Sequence, residues 1–307
     1  MQRSKSLHYR QPHSISTTYH QTQLGEFLRP SRSEVIDTYG DFPHPEKPHG
    51  NLRIIFSNIN GLSTVHTDQD CHHLSTVAKT HQIECLGLVE PNINWTNVKT
   101  TTSVKKVFQK YWTKTLLKTS STPTQHTGVY QPGGTLSLLA DNWTGGSRVY
   151  EDTSGLGRWT ELRIQGRQNR QLSIITTYRV PQTSISTAGT NTSYYHQWHH
   201  LRRQRHPNPD PRSQVLQDLG DHIQALQAEY HAIIVMIDAN ESYTDKNSSL
   251  QSWLIRHSHK DVHMHLHQHD TTISTYSRGH KRIDYMFATD NIISYVVSLG
   301  LVFTCGI

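Results

Sequence analysis

The chain has 307 residues, a formal net charge of +6 with its histidines counted as neutral, and three cysteines. A chain of this length can bury a substantial core without disulfide bonds, and an odd number of cysteines with no Cys-x-x-Cys pair argues against a disulfide framework and a cysteine-based zinc site. The basic charge favours polyanionic partners.

Residues 1–50 are rich in Ser, Thr, His, Gln and Pro and show no sustained period, so we expect a disordered or loosely attached polar arm there. The N-terminus lacks the apolar core of a secretory signal, and no apolar run is long enough to cross a bilayer. We therefore expect a soluble intracellular protein with no membrane partner, whose folded domain covers residues 51–307.

The first two strand-like runs both end in polar side chains. Residues 52–56 lead to Asn58 and Asn60, which share one face if the extended geometry continues, and Gly61 then permits a turn. The spacing of apolar residues predicts a helix from about 67 to 82. Residues 83–89 form the second run, which ends in Glu90 before a proline.

The middle of the chain contains a predicted hairpin. Residues 104–118 fit either a basic helix or an extended segment, and residues 133–140 indicate a turn into a strand. The runs 159–164 and 172–178 alternate in polarity around a turn, which predicts paired strands, and the second run ends at Tyr178.

A polar stretch from 182 to 211 follows, predicted to be loop with a short helix. It contains an arginine cluster formed by Arg202, Arg203 and Arg205, which is suited to phosphate contacts. A second basic cluster, His280, Lys281 and Arg282, lies in a later predicted loop.

An apolar stripe over residues 213–229 predicts a helix that leads into six apolar residues, 232–237. Asp238 and Asn240 close this predicted strand. Two interpretations stay open for the pair: a site at the carboxyl end of the strand, or an ordinary Asx turn.

The C-terminal part predicts one further helix, over residues 247–258, and two short strands, over 271–276 and 283–288. The His-rich stretch from 257 to 269 is either a metal-binding tract or an exposed or core-facing segment. Asp284 lies within the last apolar run, where a carboxylate is costly unless it is paired or functional.

Taken together, the polar residues at strand ends form an ordered set of short motifs. These are Ser-Asn-Ile-Asn-Gly-Leu at 57–62, Leu-Val-Glu at 88–90, Gly-Gly-Thr-Leu at 133–136, Thr-Tyr-Arg-Val-Pro at 177–181, Ile-Asp-Ala-Asn at 237–240 and Arg-Ile-Asp-Tyr at 282–285. The set resembles the endonuclease/exonuclease/phosphatase superfamily, and within it the apurinic-like endonuclease domain of non-LTR retrotransposons. The resemblance covers about residues 52–303.

The resemblance implies an α+β fold in which a two-layer β-sandwich is flanked by helices, giving four layers in the order α/β/β/α. It places the site where the strand ends of the two sheets meet. Glu90 would be the principal ligand of Mg²⁺, or of Mn²⁺ in its place, with help from Asn60. A hard dication prefers oxygen ligands and keeps several waters, so few carboxylates are needed.

The remaining roles follow from the same resemblance. Asn58 would hold a phosphate or a metal-bound water, and Tyr178 would reach the phosphate or the leaving oxygen. Asp238 would orient or deprotonate the attacking water, and Asn240 would position that water and the phosphate. Asp284, or the aspartate of a terminal Ser-Asp-His motif, would support a histidine acting as general base or phosphate stabiliser.

The sequence departs from the family at its end, because no Ser-Asp-His follows residue 284. We expect from this that the last strand and its histidine are missing, either through truncation or because the sequence is a decayed copy.

The function implied by the resemblance is that of a Mg²⁺-dependent endonuclease of a retroelement. It would nick target DNA in the nucleus to leave a 3′-hydroxyl that primes a reverse transcriptase, which could be another domain of the same element. One alternative is a catalytically inactive copy that at most binds nucleic acid. A less favoured one is a hydrolase of phosphoinositides, sphingomyelin or poly(A).

Overall fold

The computed structural model of the chain describes residues 37–41, 46–63, 69–123, 128–268, 273–275 and 280–303. The strands are β1 (Asp37–Gly40), β2 (Ile54–Asn58), β3 (Cys85–Val89), β4 (Thr115–Ser120), β5 (Thr135–Ala140), β6 (Arg148–Glu151), β7 (Trp159–Gln165), β8 (Gln171–Tyr178), β9 (Ala232–Asp238), β10 (His259–Asp261), β11 (Asp284–Thr289) and β12 (Gly300–Phe303). The helices are α1 (Gln69–Thr80), α2 (Val98–Tyr111), α3 (Ser193–Arg203), α4 (Pro211–Ala228), α5 (Ser249–Arg256), α6 (Val262–Leu266) and α7 (Asp290–Ile293). In this part of the chain, no helix has both the length and the apolar character needed to cross a membrane.

Two mixed sheets organise the molecule. The larger has six strands in the order β10-β11-β9-β8-β7-β6, and the smaller has four in the order β2-β3-β5-β4. Each sheet has one parallel pair, β8 with β9 and β2 with β3, and its other pairs are antiparallel. Two parallel strands end at the same edge of a sheet. The residues that follow β8 and β9 therefore lie together at one edge of the larger sheet, and those that follow β2 and β3 lie together at one edge of the smaller sheet.

Strand β9 shows why the two sheets pack as a sandwich. Ile233, Val235 and Ile237 point to one face, where they pack against residues of α4 and α5. Ile234 and Met236 point to the other face and pack against residues of the smaller sheet, such as Cys85 and Leu139. The strand is a continuous apolar run because both of its faces are buried.

The outer face of the smaller sheet is covered in the same way. Leu86 and Leu88 of β3 pack against α1 and α2, which contribute Leu74, Val104 and Phe108 among others. The layers are therefore helix, sheet, sheet, helix, and the predicted α+β sandwich flanked by helices is confirmed.

Local capping fixes where the main helices begin. The Asn97 side chain accepts from the backbone N–H of Thr100 at the start of α2. The Asp210 side chain accepts from the N–H groups of Arg212 and Ser213 at the start of α4, where Pro211 occupies the first turn. These caps place the α4 boundary two residues before the predicted one.

Most predicted elements are confirmed, and a few need correction. The hairpin of β7 and β8 is present, with Trp159 opposite Thr177. The stretch 104–118, left open between helix and strand, holds both: α2 ends at Tyr111 and β4 begins at Thr115. A strand was predicted over 271–276, but residues 273–275 form irregular structure, and its other residues lie outside the described ranges.

Within the predicted polar arm, β1 pairs antiparallel with β12. Residues 1–36 of the arm lie outside the described residues. The His-rich stretch forms β10 and α6, with His259 and His263 buried and His265 exposed. No three His, Cys, Asp or Glu side chains in the described ranges converge as a metal-binding group, so the metal-tract interpretation of this stretch gains no support.

Candidate active site

Three predicted site residues lie side by side at one edge of the larger sheet. The register of β8 and β9 places Tyr178 opposite Asp238, and the register of β9 and β11 places Asp238 opposite Asp284. Asp238 is 1% exposed and Tyr178 is 3% exposed. The apolar strand β9 thus ends in the carboxylate of Asp238, which has Tyr178 on one side and Asp284 on the other.

The smaller sheet contributes the other half of the site. Asn58 ends β2 opposite Val89, so Glu90 follows β3 at the same edge. The Asn58 side chain donates to the Asp238 carboxylate, with 2.8 Å between Nδ2 and Oδ2. Asn58 and Tyr178 also hydrogen-bond to the Glu90 carboxylate. One amide therefore joins carboxylates that come from different sheets.

Two strands of the site end in the same local structure. The backbone N–H of Asn60 donates to Asn58 Oδ1 at 3.0 Å, and that of Asn240 donates to Asp238 Oδ1 at 3.1 Å. Each is an Asx turn. The two interpretations weighed for Asp238 and Asn240 are thus compatible, because the Asx turn lies at the site itself.

The backbone turns sharply after each strand. Asn60, Glu90 and Asn240 have φ of 42°, 52° and 46°. Asn tolerates this left-handed region, whereas for Glu it costs on the order of 1 kcal/mol. A shared strand face was expected for Asn58 and Asn60 on the condition that the extended geometry continues, and that geometry ends at Asn60. It ends likewise at Asn240, which therefore does not continue the strand face of Asp238.

Backbone hydrogen bonds hold Glu90 in its unusual conformation. Its N–H donates to the Gly134 carbonyl at 3.1 Å, and its carbonyl accepts from the Gly61 N–H at 2.8 Å. The second bond also brings the Asn60 turn beside Glu90, although the Asn60 side chain itself is exposed. Glu90 and Asn60 are thus neighbours at the level of the backbone, and their role as a ligand pair stays a prediction.

Burial raises the pKa of all three acids of the site, and neighbouring acids raise it further for Asp238 and Asp284. Burial, and then the charges of Asp284 and Glu90, raise the pKa of Asp238 well above its usual range. Burial raises the pKa of Glu90, against hydrogen bonds from Tyr178 and Asn58. Burial, with the Glu90 charge, raises the pKa of Asp284 to about 6, although a hydrogen bond with Thr275 and the charge of Arg282 oppose it.

Tyr178 stays a neutral phenol in this setting. Burial, and then the charge of Glu90, raise its pKa well above the ordinary value. Its hydroxyl hydrogen-bonds to both Glu90 and Ser193, the first residue of α3. Gly133 permits this close packing, because a β-carbon there would lie 2.4 Å from Ser193 Oγ and 3.2 Å from the Tyr178 ring.

The donor chemistry of the site fits a hard dication. The charges of Asp284 and Glu90 act on Asp238, and Asp284 Oδ1 is buried without a hydrogen-bond partner among the described residues. No group of three His, Cys, Asp or Glu side chains in the described ranges could hold a metal ion by itself. The fit is therefore to an ion such as Mg²⁺, which binds one or two carboxylates and keeps several waters.

An ion-pair network that the sequence analysis did not identify supports the Asn240 turn. Arg179 Nη1 and Arg212 Nη2 lie 2.5 and 2.9 Å from Glu241 Oε2. Arg212 Nη2 also donates to the Asn240 carbonyl at 3.0 Å, and Asn240 Nδ2 donates to the Arg179 carbonyl at 2.8 Å. The available signal was position, since Arg179 and Glu241 each directly follow a predicted site residue.

The predicted basic residues fall into two groups. Arg202, Arg203 and Arg205 are exposed at and just beyond the end of α3. Lys281 is exposed but pairs with Asp245 at 2.7 Å, and Arg282 pairs with Asp261 at 2.9 Å. Of the two predicted basic clusters, the one formed by Arg202, Arg203 and Arg205 has no carboxylate partner among the described ion pairs, whereas Lys281 and Arg282 of the other each have one.

Comparisons with known proteins bear on the fold. No model of a known protein family matches the chain, and no curated protein matches it. Among solved structures, it is similar to the 3′ phosphatase NExo from Neisseria bound to product DNA hairpin, with a TM-score of 0.52, 11% identity, and 80% of this chain and 89% of that chain covered. An AP endonuclease from Archaeoglobus fulgidus gives a TM-score of 0.51 at 14% identity, with 80% and 89% covered.

A third similar structure is the endonuclease domain of TRAS1, a telomere-specific non-LTR retrotransposon. Its TM-score is 0.41 at 16% identity, with 80% of this chain and 88% of that chain covered. That score is too low to carry an argument about a retroelement. Identities of 11% and 14% in the two higher-scoring matches establish a shared fold and leave the activity to be argued from the site.

Proposed function

Since this chain has the fold of the endonuclease/exonuclease/phosphatase superfamily, we propose that it is a metal-dependent phosphodiesterase, and specifically a DNA endonuclease. The observation that carries the proposal is the bond between Asn58 and Asp238 across the two sheets, with Glu90 and Tyr178 in the same network. A hydrolase of phosphate esters needs a base, donors and a cation-binding carboxylate within one pocket, and this network supplies those groups.

Each side chain has a role that follows from its surroundings. Asp238 is the candidate base for the attacking water, because a raised pKa makes a carboxylate more basic. Tyr178 and Asn58 are neutral donors that bond to Glu90 and Asp238 in this structure, and on the proposal they turn to phosphate oxygens when substrate binds. The Asn240 amide donates to the Arg179 carbonyl and keeps its second N–H for the water or the phosphate. Asp284 helps to keep the Asp238 pKa high.

Glu90 and Asn60 are the residues that would hold Mg²⁺, or Mn²⁺, at this site. When bound, the ion would neutralise charge that develops on the phosphate oxygens. The negative charges of Asp284 and Glu90 that act on Asp238 support this assignment, because a bound cation would offset them.

The choice of DNA as substrate, and of a retroelement as source, extends the proposal further. Its support is the net charge of +6, the exposed arginines of α3, and the order of the six motifs along the chain. On this proposal the protein nicks nuclear DNA, and the resulting 3′-hydroxyl primes a reverse transcriptase domain.

A supercoiled-plasmid nicking assay in Mg²⁺ tests the proposal. We expect the wild-type chain to nick, and Glu90→Ala and Asp238→Ala each to reduce the rate by at least about a hundredfold, as removal of catalytic groups typically does. Glu151→Gln and Asp290→Asn are matched controls, because both carboxylates are exposed and pair only with lysines at the surface.

Nicking that persists in both site variants would refute the assignment of the site. If the wild-type protein does not nick the plasmid with any divalent ion, the remaining interpretation is a protein that binds nucleic acid without cleaving it. Parallel assays on poly(A), phosphoinositide and sphingomyelin then separate DNA cleavage from other ester hydrolysis, since the fold alone does not select the substrate.

A further inference from the structure

Helix α3 has one buried face and one face rich in aromatic and basic side chains. Ser193, Tyr194, Gln197 and Leu201 are buried along one stripe. Tyr195 and His199 lie on the opposite stripe, followed by the exposed Arg202 and Arg203. The buried stripe fixes the helix on the domain, so the other stripe is displayed at a defined place.

The aromatic rings of this face already stack on one another. The ring centroids of Tyr195 and His199 are 4.2 Å apart, and those of Trp198 and His199 are 5.0 Å apart. Trp198 is half-buried against the cluster that contains Tyr178. The three rings are therefore held in place before any ligand binds, which lowers the entropy lost on binding.

The charge of this region has one sign. Residues 182–209 contain three arginines, four histidines and no aspartate or glutamate. Arg202 Nη1 donates to the Pro207 carbonyl at 2.9 Å, which holds its guanidinium at the surface and leaves other donors of the group for a ligand. A polyanion is the complementary partner.

The same helix begins at the candidate active site. Ser193 at its first position hydrogen-bonds to Tyr178, and His196 Nδ1 lies 3.2 Å from Gln131 Nε2. The neighbouring Tyr130 is 49% exposed on the rim, where burial and then the Glu90 charge raise its pKa. At a rise of about 1.5 Å per residue, the helix extends roughly 15 Å from the site to Arg203.

We propose that the outer face of α3, formed by the half-buried rings of Tyr195, Trp198 and His199 and the exposed Arg202 and Arg203, binds an unpaired nucleic-acid strand next to the scissile phosphate. Base pairing and stacking hide the faces of bases in a duplex, whereas an unpaired base can stack on an aromatic side chain. Rings followed by arginines on one helix face therefore fit a single strand better than a duplex. The inference rests on the proposed function and names its substrate class, a nucleic acid with a single-stranded stretch.

Fluorescence anisotropy tests the proposal with a labelled oligothymidylate and with a duplex of equal length, in EDTA so that the probe is not consumed. In the ring variant, Tyr195→Ala with His199→Ala, single-strand affinity should fall about tenfold or more, since a stacked base contributes strongly to binding. Duplex affinity should fall far less. Tyr195→Phe should keep wild-type affinity, because it retains the ring.

The charge variant, Arg202→Gln with Arg203→Gln, should weaken single-strand binding and reduce its salt dependence. The matched control is Arg167→Gln with Arg170→Gln, which removes the same charge from exposed positions at the far end of the β7–β8 hairpin. Equal single-strand affinity in the charge variant and this control would overturn the proposal. So would an equal loss of duplex and single-strand binding in the ring variant.

The two proposals fail in different ways. If Glu90→Ala abolishes nicking but the α3 variants bind single strands like wild type, the proposed function stands and the inference is wrong. If no variant affects nicking but the α3 variants lose single-strand binding selectively, the strand-binding face stands without the assigned catalytic site. Thermal unfolding of every variant shows that the fold is retained.

Discussion

Two carboxylates near the same sheet edge have opposite pKa shifts. Glu241 follows β9 and binds two arginines and Ser248; burial alone would raise its pKa, but these partners lower it to about 2. Asp284 begins β11, and burial with the Glu90 charge raises its pKa to about 6. The charge of Glu241 is thus offset by neighbouring arginines, whereas Asp284 lies close to the negative charge of Glu90.

This difference distinguishes the Glu241 network, which has a structural role, from the acids of the candidate active site. The Glu241 network holds the Asn240 turn in place and needs nothing further. The acids around Asp284 repel one another, and one Asp284 oxygen is buried without a hydrogen-bond partner among the described residues. Such an arrangement is costly unless a ligand completes it, so the second group is where a cation is expected.

Removing the internally neutralised acid should have the largest effect on stability. Glu241→Gln leaves Arg179 and Arg212 without their counter-charge, and breaking a buried ion pair costs about 3–5 kcal/mol. Urea denaturation at pH 7 measures this loss. The control, Glu151→Gln, breaks a surface pair with Lys118 and should cost no more than about 1 kcal/mol.

The pH dependence of the free energy of unfolding provides a second test of the Glu241 network. Its pKa is lower in the folded state, so its contribution to stability is complete above the unfolded value near 4.5 and disappears as the pH falls toward 2. A wild-type protein whose acid unfolding matched that of Glu241→Gln over this window would contradict the network.

Asp284→Asn should have a smaller effect of opposite sign. Because the folded pKa of Asp284 is raised, the contribution of Asp284 itself to stability is greatest below about pH 4 and is lost as the pH rises toward 6. In EDTA at pH 7 the variant should be more stable by about 1–2 kcal/mol, after allowance for partial exposure of the group. Thermal unfolding from pH 4 to 7 should show the difference vanish at low pH.

The exposed Asp290 provides the control for that experiment, since Asp290→Asn should change stability by less than about 0.5 kcal/mol at every pH. If Asp284→Asn is destabilising at pH 7, then Asp284 is satisfied by its own surroundings, and the contrast with Glu241 fails.

Metal binding should give the smallest stability effect and the most direct test of the contrast. Excess Mg²⁺ should raise the wild-type midpoint of thermal unfolding by a few degrees, about what a ligand that binds only the folded state contributes near its saturation. Glu90→Gln should lose this rise and Glu151→Gln should keep it. An equal rise in both variants would place the ion elsewhere.

Much of the fold was predictable because its signals are local. The apolar run before Asp238 predicted a buried strand, and the structure buries both faces of β9. The alternation of β7 and β8 predicted their hairpin. The stretch 104–118 was not predictable, since its polar composition suits either structure, and only packing of Val104 and Phe108 against the smaller sheet assigns its first part to a helix.

The predicted site residues are brought together, although their detailed geometry differs from expectation. Asn58, Glu90, Tyr178, Asp238 and Asp284 meet at the strand ends, as the motifs indicated. The Asx turn at Asp238 and Asn240 was one of the two interpretations of the sequence, because the bond that defines it is local. The bonds from Arg212 and to Arg179 that hold this turn were not predictable, because they join distant parts of the chain. Arg282 looked like a free basic residue in sequence, but its pairing with Asp261 needs the folded chain.

The sequence by itself determined the main buried strands and helices and the residue types at their ends, because apolar period and turn chemistry act over a few positions. Only the tertiary structure decided which charges face each other. Asn58 and Asp238 are 180 residues apart in the chain, yet they form one hydrogen bond between the two sheets. The pKa of a buried carboxylate depends on such neighbours, and it is this contact across the sandwich that makes a set of separate strand ends a candidate active site.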